Sequence, residues 1–309
     1  MVALHFDQGD ILTGYEALHD AAAWLDVSTR GRIRVTGEDR ARLLHALTTN
    51  NIQKLEPGES CYAFFLSAQG RVLADVSVFC FADHFLLDTE PETAQKVREH
   101  LDRYIIADDV TVEDIAARTA AIAVAGPGAA EVAQTAGEGA LLLDMSLTGG
   151  PGRMIVVPAG ERDGVIQRLE CSGAVAAAAE DFRVVRLEND HPRYGDDISE
   201  RYLAQETNQL RALHFQKGCY LGQEIVERVR SRAQIHRVLM PLQIEGAESP
   251  SPGTKLQAEG RDAAEITSAA YSPALGKVVA LAYVRTEHTK VGTVLDFAGR
   301  RAVVGLAPS

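Results

Sequence analysis

The order of hydrophobic and polar positions along the chain predicts helices and strands that follow one another closely. Residues 32–35 alternate polar and apolar, as a half-buried strand does, and residues 38–47 place three leucines on one face of a helix. Residues 16–25 show a helical pattern ahead of them. Residues 61–66, 72–81 and 85–87 then form three strand-like runs separated by short turns. This order predicts an antiparallel meander covered by helices.

The middle of the chain repeats this mixture of strands and helices. A helix is predicted over 92–104 and a strand over 110–112, and further strands over 121–124, 141–144 and 154–157 alternate with helices over 127–136 and 163–169. A helix over 180–189 follows. From residue 238 the pattern changes to short strands with turn-rich connections, typical of a small β-barrel or sandwich. The predicted fold class is α+β with a C-terminal β unit.

Residues 215–224, Phe-Gln-Lys-Gly-Cys-Tyr-Leu-Gly-Gln-Glu, combine two glycines with a single thiol. The spacing that follows is helical, so the segment predicts a tight loop that brings Cys219 close to a helix N-terminus. Lys217 and the positive end of that helix would both favour the thiolate. The alternative is an inert cysteine buried in a helix-entry turn, because free cysteines are usually found in the core.

This motif, K-G-C-Y-x-G-Q-E, resembles the signature of the YgfZ/GcvT family. The family comprises folate-binding proteins linked to the maintenance of iron–sulfur enzymes and the aminomethyltransferases of the glycine cleavage system. The form seen here is similar to the YgfZ branch, because the aminomethyltransferase branch carries Asp at the position of Cys219 and Arg or Lys at that of Gln223. Other segments that resemble the family lie at 26–28, 47–50, 104–110, 186–195 and 271–284.

The resemblance implies an architecture of two interleaved α+β domains with antiparallel sheets and a C-terminal β-barrel, arranged around a central channel of folate size. We expect the first domain to span 1–50 and 118–236, the inserted domain 51–117, and the barrel 237–309. The implied cofactor is tetrahydrofolate or a derivative.

The resemblance also implies roles for particular side chains. Glu188 lies 29 residues before Lys217 and would accept hydrogen bonds from the pterin N–H groups, since a carboxylate offers two acceptors. Asp75 follows Tyr62 by 13 residues and would tune proton transfer at the folate nitrogens, with Ala74 in place of a first acid. Both carboxylates have a simpler interpretation as solvent-exposed groups.

The candidate residues form two sets, one catalytic and one folate-binding. The candidate catalytic residues are Cys219, Lys217 and Asp75. The candidate folate-binding residues, among which the Tyr62 ring would pack against the pterin, are Tyr62, Asp75, Glu188, Tyr194, Gln223, Arg228 and Arg237.

The charge of the chain is −12, which argues against broad nucleic-acid binding. Residues 211–237 nevertheless carry six Lys/Arg and two acids, so this segment is +4 and the remainder −16. We expect Arg228 and Arg237 to bind the glutamyl tail of a folate, because the arginine fork matches a carboxylate. RNA phosphates are the alternative ligand, and a solvated helix face is the simplest explanation.

Four scattered cysteines, Cys61, Cys80, Cys171 and Cys219, lack metal-ligand spacing, so no metal site is expected. The sequence shows neither a signal peptide nor an apolar run long enough to cross a membrane, which predicts a cytoplasmic protein.

Three functions follow from these residues. The first is a folate-binding YgfZ-like protein that uses Cys219 to support iron–sulfur enzymes, with iron–sulfur proteins, assembly factors or tRNA as partners. The second is a folate-dependent aminomethyltransferase. The third is an RNA-binding adaptor without a folate ligand.

Overall fold

The computed structural model describes residues 13–232 and 235–305. The helices are α1 Gly14–Asp20, α2 Arg40–Leu47, α3 Ala94–Tyr104, α4 Ala129–Gln134, α5 Arg162–Cys171, α6 Ala179–Glu188 and α7 Gln223–Arg232. The strands are β1 Ala23–Asp26, β2 Gly31–Thr36, β3 Ser60–Leu66, β4 Val72–Cys80, β5 Phe85–Thr89, β6 Thr111–Asp114, β7 Thr119–Ala125, β8 Leu141–Leu143, β9 Gly152–Pro158, β10 Val175–Ala176, β11 Arg237–Ile244, β12 Lys255–Ala258, β13 Arg261–Ser272, β14 Lys277–Arg285, β15 Val294–Phe297 and β16 Arg300–Val304. None of these helices is long and apolar enough to cross a membrane.

The first sheet has the strand order β10-β1-β7-β9-β8. Its strands are antiparallel except for the β1–β10 pair. Helices α4 and α5 cover one face with an apolar layer that includes Val132 and Leu169. The other face packs with α1, α6 and the second sheet, which contributes Phe79 and Leu86. The two sheets therefore share one core.

The second sheet is antiparallel, in the order β3-β4-β5-β2-β6, and lies in the chain between β1 and β7 of the first sheet. Its outer face packs against α2 and α3 through residues such as Leu44 and Leu101. Strand β2 pairs with β5 and β6, so this unit begins at Gly31, whereas the sequence analysis set the boundary at residue 50.

Arg32 joins the two sheets at the point where the chain passes from one to the other. Its side chain is fully buried. The guanidinium donates to the Thr119 hydroxyl at 2.8 Å and to the Ala116 and Thr119 carbonyls at 3.0 Å. These bonds tie β2 of the second sheet to the start of β7 in the first. The charged group is thereby satisfied in the interior, as a buried guanidinium must be.

The last third of the described chain forms a closed barrel in the order β11-β14-β13-β12-β15-β16. Alternating residues such as Leu242, Ile266 and Val284 fill its interior. Its outer face packs on α6, where Leu187 meets Leu281 and Tyr283. The predicted α+β class with antiparallel sheets and a C-terminal barrel is confirmed.

Two elements differ from the sequence prediction in ways that bear on the site. The helical pattern over 16–25 ends early, because residues 23–26 pair with β7 and β10 as a strand and tertiary pairing overrides the helix propensity of alanine. Strand β5 continues to Thr89, two residues beyond the predicted end, and so includes Asp88. This extension places an acidic side chain on the sheet.

Candidate functional site

A cavity of about 810 Å³ lies between the two sheets. This volume falls within the range of small-molecule sites. Its walls come from loops of the first sheet, from strands β3, β4 and β5, and from α6 and the loop after it. The polar lining residues are Asp26, Thr29, Arg30, Asn50, Ser60, Cys61, Tyr62, Asp75, Ser77, Asp88, Glu90, Asp144, Ser146, Arg183, Arg186, His191, Arg193, Asp196 and Arg211. No described residue of the barrel lines this cavity. The resemblance, in contrast, implied a channel that the barrel helps to surround.

Asp75 and Tyr62 form the centre of one wall. The Tyr62 hydroxyl donates to Asp75 Oδ2 at 2.8 Å, and the Arg211 guanidinium lies 4.9 Å from the centre of the Tyr62 ring. Burial, followed by the negative charge of Glu90, raises the pKa of Asp75 to about 6. A carboxyl with this pKa can both hold and release a proton near neutral pH. Both residues, to which the resemblance assigned ligand contacts, line this cavity.

A row of alternating charges begins at Asp88 on the neighbouring strand β5 and contributes to the cavity lining. Arg30 donates through Nε to Asp88 Oδ1 at 2.8 Å and also binds Glu90. Arg193 Nη2 lies 3.0 Å from the second Glu90 oxygen, Oε2, and Arg193 Nη1 lies 3.3 Å from Asp196. Burial is nearly complete for Arg30 and Asp88. Opposite charges at these distances compensate one another where water is excluded.

The row ends on a buried carboxylate. Arg186 of α6 binds Asp196 at 2.9 Å and Asp197 at 2.7 Å. Asp197 is fully buried, and it also accepts hydrogen bonds from the hydroxyls of Thr267 at 2.6 Å and Ser268 at 2.5 Å on β13. We call the connected set the ion chain. Its members are Asp88, Arg30, Glu90, Arg193, Asp196, Arg186 and Asp197.

One oxygen of the ion chain has no partner. Asp88 Oδ2 is inaccessible to solvent and accepts no hydrogen bond from any residue of the described chain. Burial raises the pKa of Asp88 in spite of the neighbouring guanidinium. Most buried polar atoms are hydrogen-bonded, so this oxygen is an exception, and Glu188 Oε2 is another in the described part of the chain.

Two further groups lining the cavity are neutral near pH 7. Burial, together with the positive charges of Arg211 and Arg186, lowers the pKa of His191 to about 4. Burial raises the pKa of the Cys61 thiol to about 12. Both can therefore take part in hydrogen bonds without adding charge to the cavity.

Lys217 lies beneath the cavity wall. It is buried, and its ammonium donates to the carbonyls of His45, Thr48 and Asn50, each at 2.6 Å. Burial lowers the pKa of Lys217, while the three acceptors favour its charged form. All three N–H donors of the lysine are used. Lys217 therefore satisfies carbonyls at the end of α2, a role that the sequence analysis did not predict.

The rest of the motif forms the predicted loop and helix. Cys219 is exposed and does not line the cavity. Helix α7 begins at Gln223, whose side chain accepts from the backbone N–H of Tyr220 at 3.3 Å rather than reaching the cavity. Gly222 has φ +83°, and a Cβ there would lie 2.7 Å from the Ser67 carbonyl oxygen. Glycine is therefore required at this turn.

Glu188 and Tyr194 also lie outside the cavity lining. The Tyr15 hydroxyl donates to Glu188 Oε1 at 2.6 Å, and His19 Nε2 lies 2.9 Å from Oε2. The carboxylate thus joins α1 to α6, and its Oε2 is buried and accepts no hydrogen bond within the described part of the chain. Tyr194 is buried and donates to the Leu73 carbonyl at 2.6 Å, which fixes its loop to β4.

The two arginines proposed for an anionic tail lie elsewhere. Arg228 is exposed on α7 and is not among the residues that line the cavity. Arg237 begins the barrel, where its Nε donates to Glu206 at 3.2 Å and its guanidinium lies 4.9 Å from the Tyr202 ring centre. Arg211 is the member of the basic segment that lines the cavity.

The sequence analysis did not identify most members of the ion chain as candidate site residues. Arg30, Asp88 and Glu90 belong to no motif, and the predicted end of β5 at residue 87 left the two acids in a turn. A strand extended by two residues would have placed Asp88 on a face of the sheet. Among the described residues, no group of three His, Cys, Asp or Glu side chains could hold a metal ion.

Replacing Lys217 with Met tests its structural role. The variant leaves three carbonyl groups without their donor, so we expect a loss of about 2–4 kcal/mol in the free energy of unfolding. Urea unfolding followed by circular dichroism measures it. The matched control, Lys54→Met at an exposed site, should unfold like the wild type. Equal stability of Lys217→Met and wild type would contradict this role.

Replacing Asp75 with Asn tests the raised pKa. The folded pKa of about 6 exceeds the unfolded value of about 3.9, so native protein binds more protons between these limits. Wild-type stability should therefore fall across this window as the pH rises, relative to Asp75→Asn, which keeps the acceptor for Tyr62. We expect the variant to be more stable by about 1–2 kcal/mol at pH 7.5 and equal at pH 4.

Urea unfolding at four pH values between 4 and 7.5 measures this difference. Comparison with the wild type cancels the contribution of Asp190, whose pKa burial also raises to about 6. Asp102→Asn, on the exposed side of α3, reports the effect of losing a surface carboxylate. A difference that does not change with pH would contradict the assignment.

Known proteins resemble this chain over almost its full length. A chloroplast protein of Arabidopsis thaliana that carries only the general name of a transferase is 26% identical, over 94% of this chain and 71% of its own. The aminomethyltransferase of Streptomyces coelicolor is 29% identical, over 90% of this chain and 82% of its own. The crystal structure of aminomethyltransferase T from Bartonella henselae superposes with a TM-score of 0.87 at 19% identity, covering 95% and 87% of the two chains.

Two family models match separate parts of the sequence. Residues 5–147 match the GCVT N-terminal domain. Residues 237–304 match the glycine cleavage T-protein C-terminal barrel domain, which corresponds to the closed barrel of the structure. The chain therefore has the N-terminal and barrel domains, and the overall fold, of the GcvT-like aminomethyltransferases.

Proposed function

We propose that this protein binds tetrahydrofolate, or a derivative of it, in the cavity between its two sheets. The observation that carries the proposal is the Tyr62–Asp75 pair in the cavity wall, with a carboxyl whose pKa is about 6. The volume of about 810 Å³ suits a ligand of this size. The relatives named as aminomethyltransferases support the same ligand class.

The residues present fit a reduced folate. A bound folate would supply ring nitrogens that carry a one-carbon unit. Asp75 would hold or release a proton beside them, and the Tyr62 hydroxyl would keep its carboxyl in place. The Tyr62 ring offers an aromatic surface, and Arg211 beside it offers a fork for a carboxylate of the ligand tail. The fold of the structure keeps these groups on one wall.

Within this ligand class we favour a YgfZ-like role that supports iron–sulfur enzymes. The motif K-G-C-Y-x-G-Q-E and the exposure of Cys219 support it, because an exposed thiol can meet a partner protein. The partner would be an iron–sulfur protein or an assembly factor in the cytoplasm. The exposed Arg228 and Arg230 on α7 would suit a tRNA whose modification depends on such enzymes.

The second candidate is a folate-dependent aminomethyltransferase. The names of the relatives and the titratable Asp75 favour it. Such an enzyme takes an aminomethyl group from a carrier, releases ammonia and forms methylene-folate. Ala74 in place of an acid, and Cys219 in place of Asp, favour the first candidate.

Calorimetric titration of the protein with tetrahydrofolate tests the shared part of the proposal. We expect saturable binding at one site, because the cavity offers one set of walls. An assay for ammonia release with an aminomethyl-lipoyl carrier then separates the candidates, and we expect no release above background. Absence of any binding would overturn both candidates, and rapid ammonia release would favour the aminomethyltransferase.

Replacing Cys219 with Ser tests the thiol. In cells whose own copy of the gene is deleted, we expect wild type to restore the activity of an iron–sulfur enzyme and the variant to fail. Folate affinity should stay within about twofold, because Cys219 does not line the cavity. Cys171→Ser, at the other exposed cysteine, is the matched control and should restore activity. Full restoration by Cys219→Ser would contradict a role for the thiol.

A further inference from the structure

We propose that residues 144–150 form a strap that opens and closes over the cavity, and that the side chain of Asn189 holds it closed. This inference rests on the proposed folate binding and deepens it, because it concerns how the ligand enters and leaves. The strap connects β8 to β9 at the edge of the first sheet. It controls the rates of binding without itself selecting the ligand.

The first observation is that the strap forms part of the cavity wall. The side chains of Met145 and Leu147 line the cavity, and both are half-buried against the core between the two sheets. Asp144, Ser146 and Gly149 line it as well. Movement of the strap away from the core would therefore open one side of the cavity to solvent.

The second observation is how few hydrogen bonds hold the strap. Within the described part of the chain, residues 145–150 make one hydrogen bond to a residue distant in sequence, which runs from Asn189 Nδ2 to the Thr148 carbonyl at 2.9 Å. Inside the strap, the Thr148 N–H donates to the Ser146 hydroxyl at 3.2 Å. A segment held by so few bonds to the rest of the structure can separate locally at a small cost in free energy.

The third observation is the pair of glycines at the end of the strap. Gly149 has φ +79°, and a Cβ there would lie 2.8 Å from the Cβ of His191, which also lines the cavity. Gly150 follows directly, so two residues without side chains precede β9. Hinges absorb large changes of backbone angle at a few loop residues, and glycine permits such changes most readily. The strap can therefore pivot at this end while β8 holds the other.

The fourth observation is the exposure of the latch. Asn189 directly follows α6 and is exposed, so water can take the place of its hydrogen bond when the strap opens. Opening also uncovers the apolar side chains of Met145 and Leu147, which opposes it. The closed form is therefore the major one, and loss of the latch makes opening more frequent without making the open form dominant.

Stopped-flow mixing of the full-length protein with tetrahydrofolate tests the strap in the wild type, Asn189→Ala and Gln134→Ala. Without the latch, free and bound protein both open more often, so we expect the association and dissociation rate constants to rise together by about fivefold. The dissociation constant from calorimetry should then stay within about twofold of the wild type. Gln134 is exposed on α4, on the far face of the first sheet, and its variant should match the wild type.

Gly150→Ala should change the rates in the opposite direction. The φ of Gly150 is not positive, and a Cβ there would lie 3.4 Å from Asn189 Nδ2, so alanine fits the closed strap. Alanine narrows the backbone freedom that the pivot needs, so we expect both rate constants to fall by about twofold or more.

Unchanged rate constants in folded Asn189→Ala would overturn the inference while folate binding stands. A rise in the dissociation rate constant alone, with a matching loss of affinity, would make Asn189 a ligand contact and would also overturn it. Failure of the wild type to bind tetrahydrofolate would overturn the proposed function and the strap with it.

A second measurement covers the case in which Asn189→Ala does not fold. The wild type is digested with thermolysin, which cuts before large apolar residues, with and without saturating tetrahydrofolate. Cleavage before Leu147 requires the strap to open, so we expect the ligand to slow it by about fivefold. Cleavage before Ile106, which is 89% exposed and does not line the cavity, is the control and should not change. Equal slowing at both sites, or none at Leu147, would overturn the inference.

Discussion

The ion chain is the interaction on which the cavity depends. It connects Asp88 of the second sheet to Asp197, which the hydroxyls of Thr267 and Ser268 tie to the barrel. All of its members except Arg193 and the exposed Asp196 are buried, and each charge has an opposite neighbour. Removing one partner from such a set leaves an uncompensated charge, which costs far more than the pair contributes. The loop after α6 is therefore held at a fixed distance from β5, and the space between them stays open as a cavity.

The K-G-C segment, residues 217–219, supports one wall of this cavity and also carries an exposed thiol. Lys217 binds three carbonyls at the end of α2, among them that of Asn50, whose side chain donates to the Tyr62 and Arg211 carbonyls at 2.9 Å. The motif thus supports the wall that carries Tyr62, while its cysteine faces solvent. A lysine and a thiol two residues apart consequently serve different faces of the loop. This separation explains how one short segment can carry a surface thiol and also support the wall of an internal cavity.

The fold was largely predictable from the sequence, whereas the site was predictable only in part. Strands with clear alternation, such as residues 32–35, and the change of pattern at residue 238 gave the two sheets and the barrel. Tyr62 and Asp75 were identified through the resemblance to the family, which includes the spacing between them. Asp88 and Arg30 were not, because their pairing depends on the register of β5 against β4 and β2, which no local pattern reveals. Glu188 was assigned to the ligand through the family resemblance, and in the structure one of its oxygens accepts from Tyr15.

The central claim is that the space between the sheets, and not the surface near Cys219, receives the folate ring. A crystal structure of the protein with tetrahydrofolate bound tests it most directly. We expect the ring against Tyr62, with a ring nitrogen near Asp75. A ring bound outside this cavity, at the exposed loop that carries Cys219, would contradict the claim.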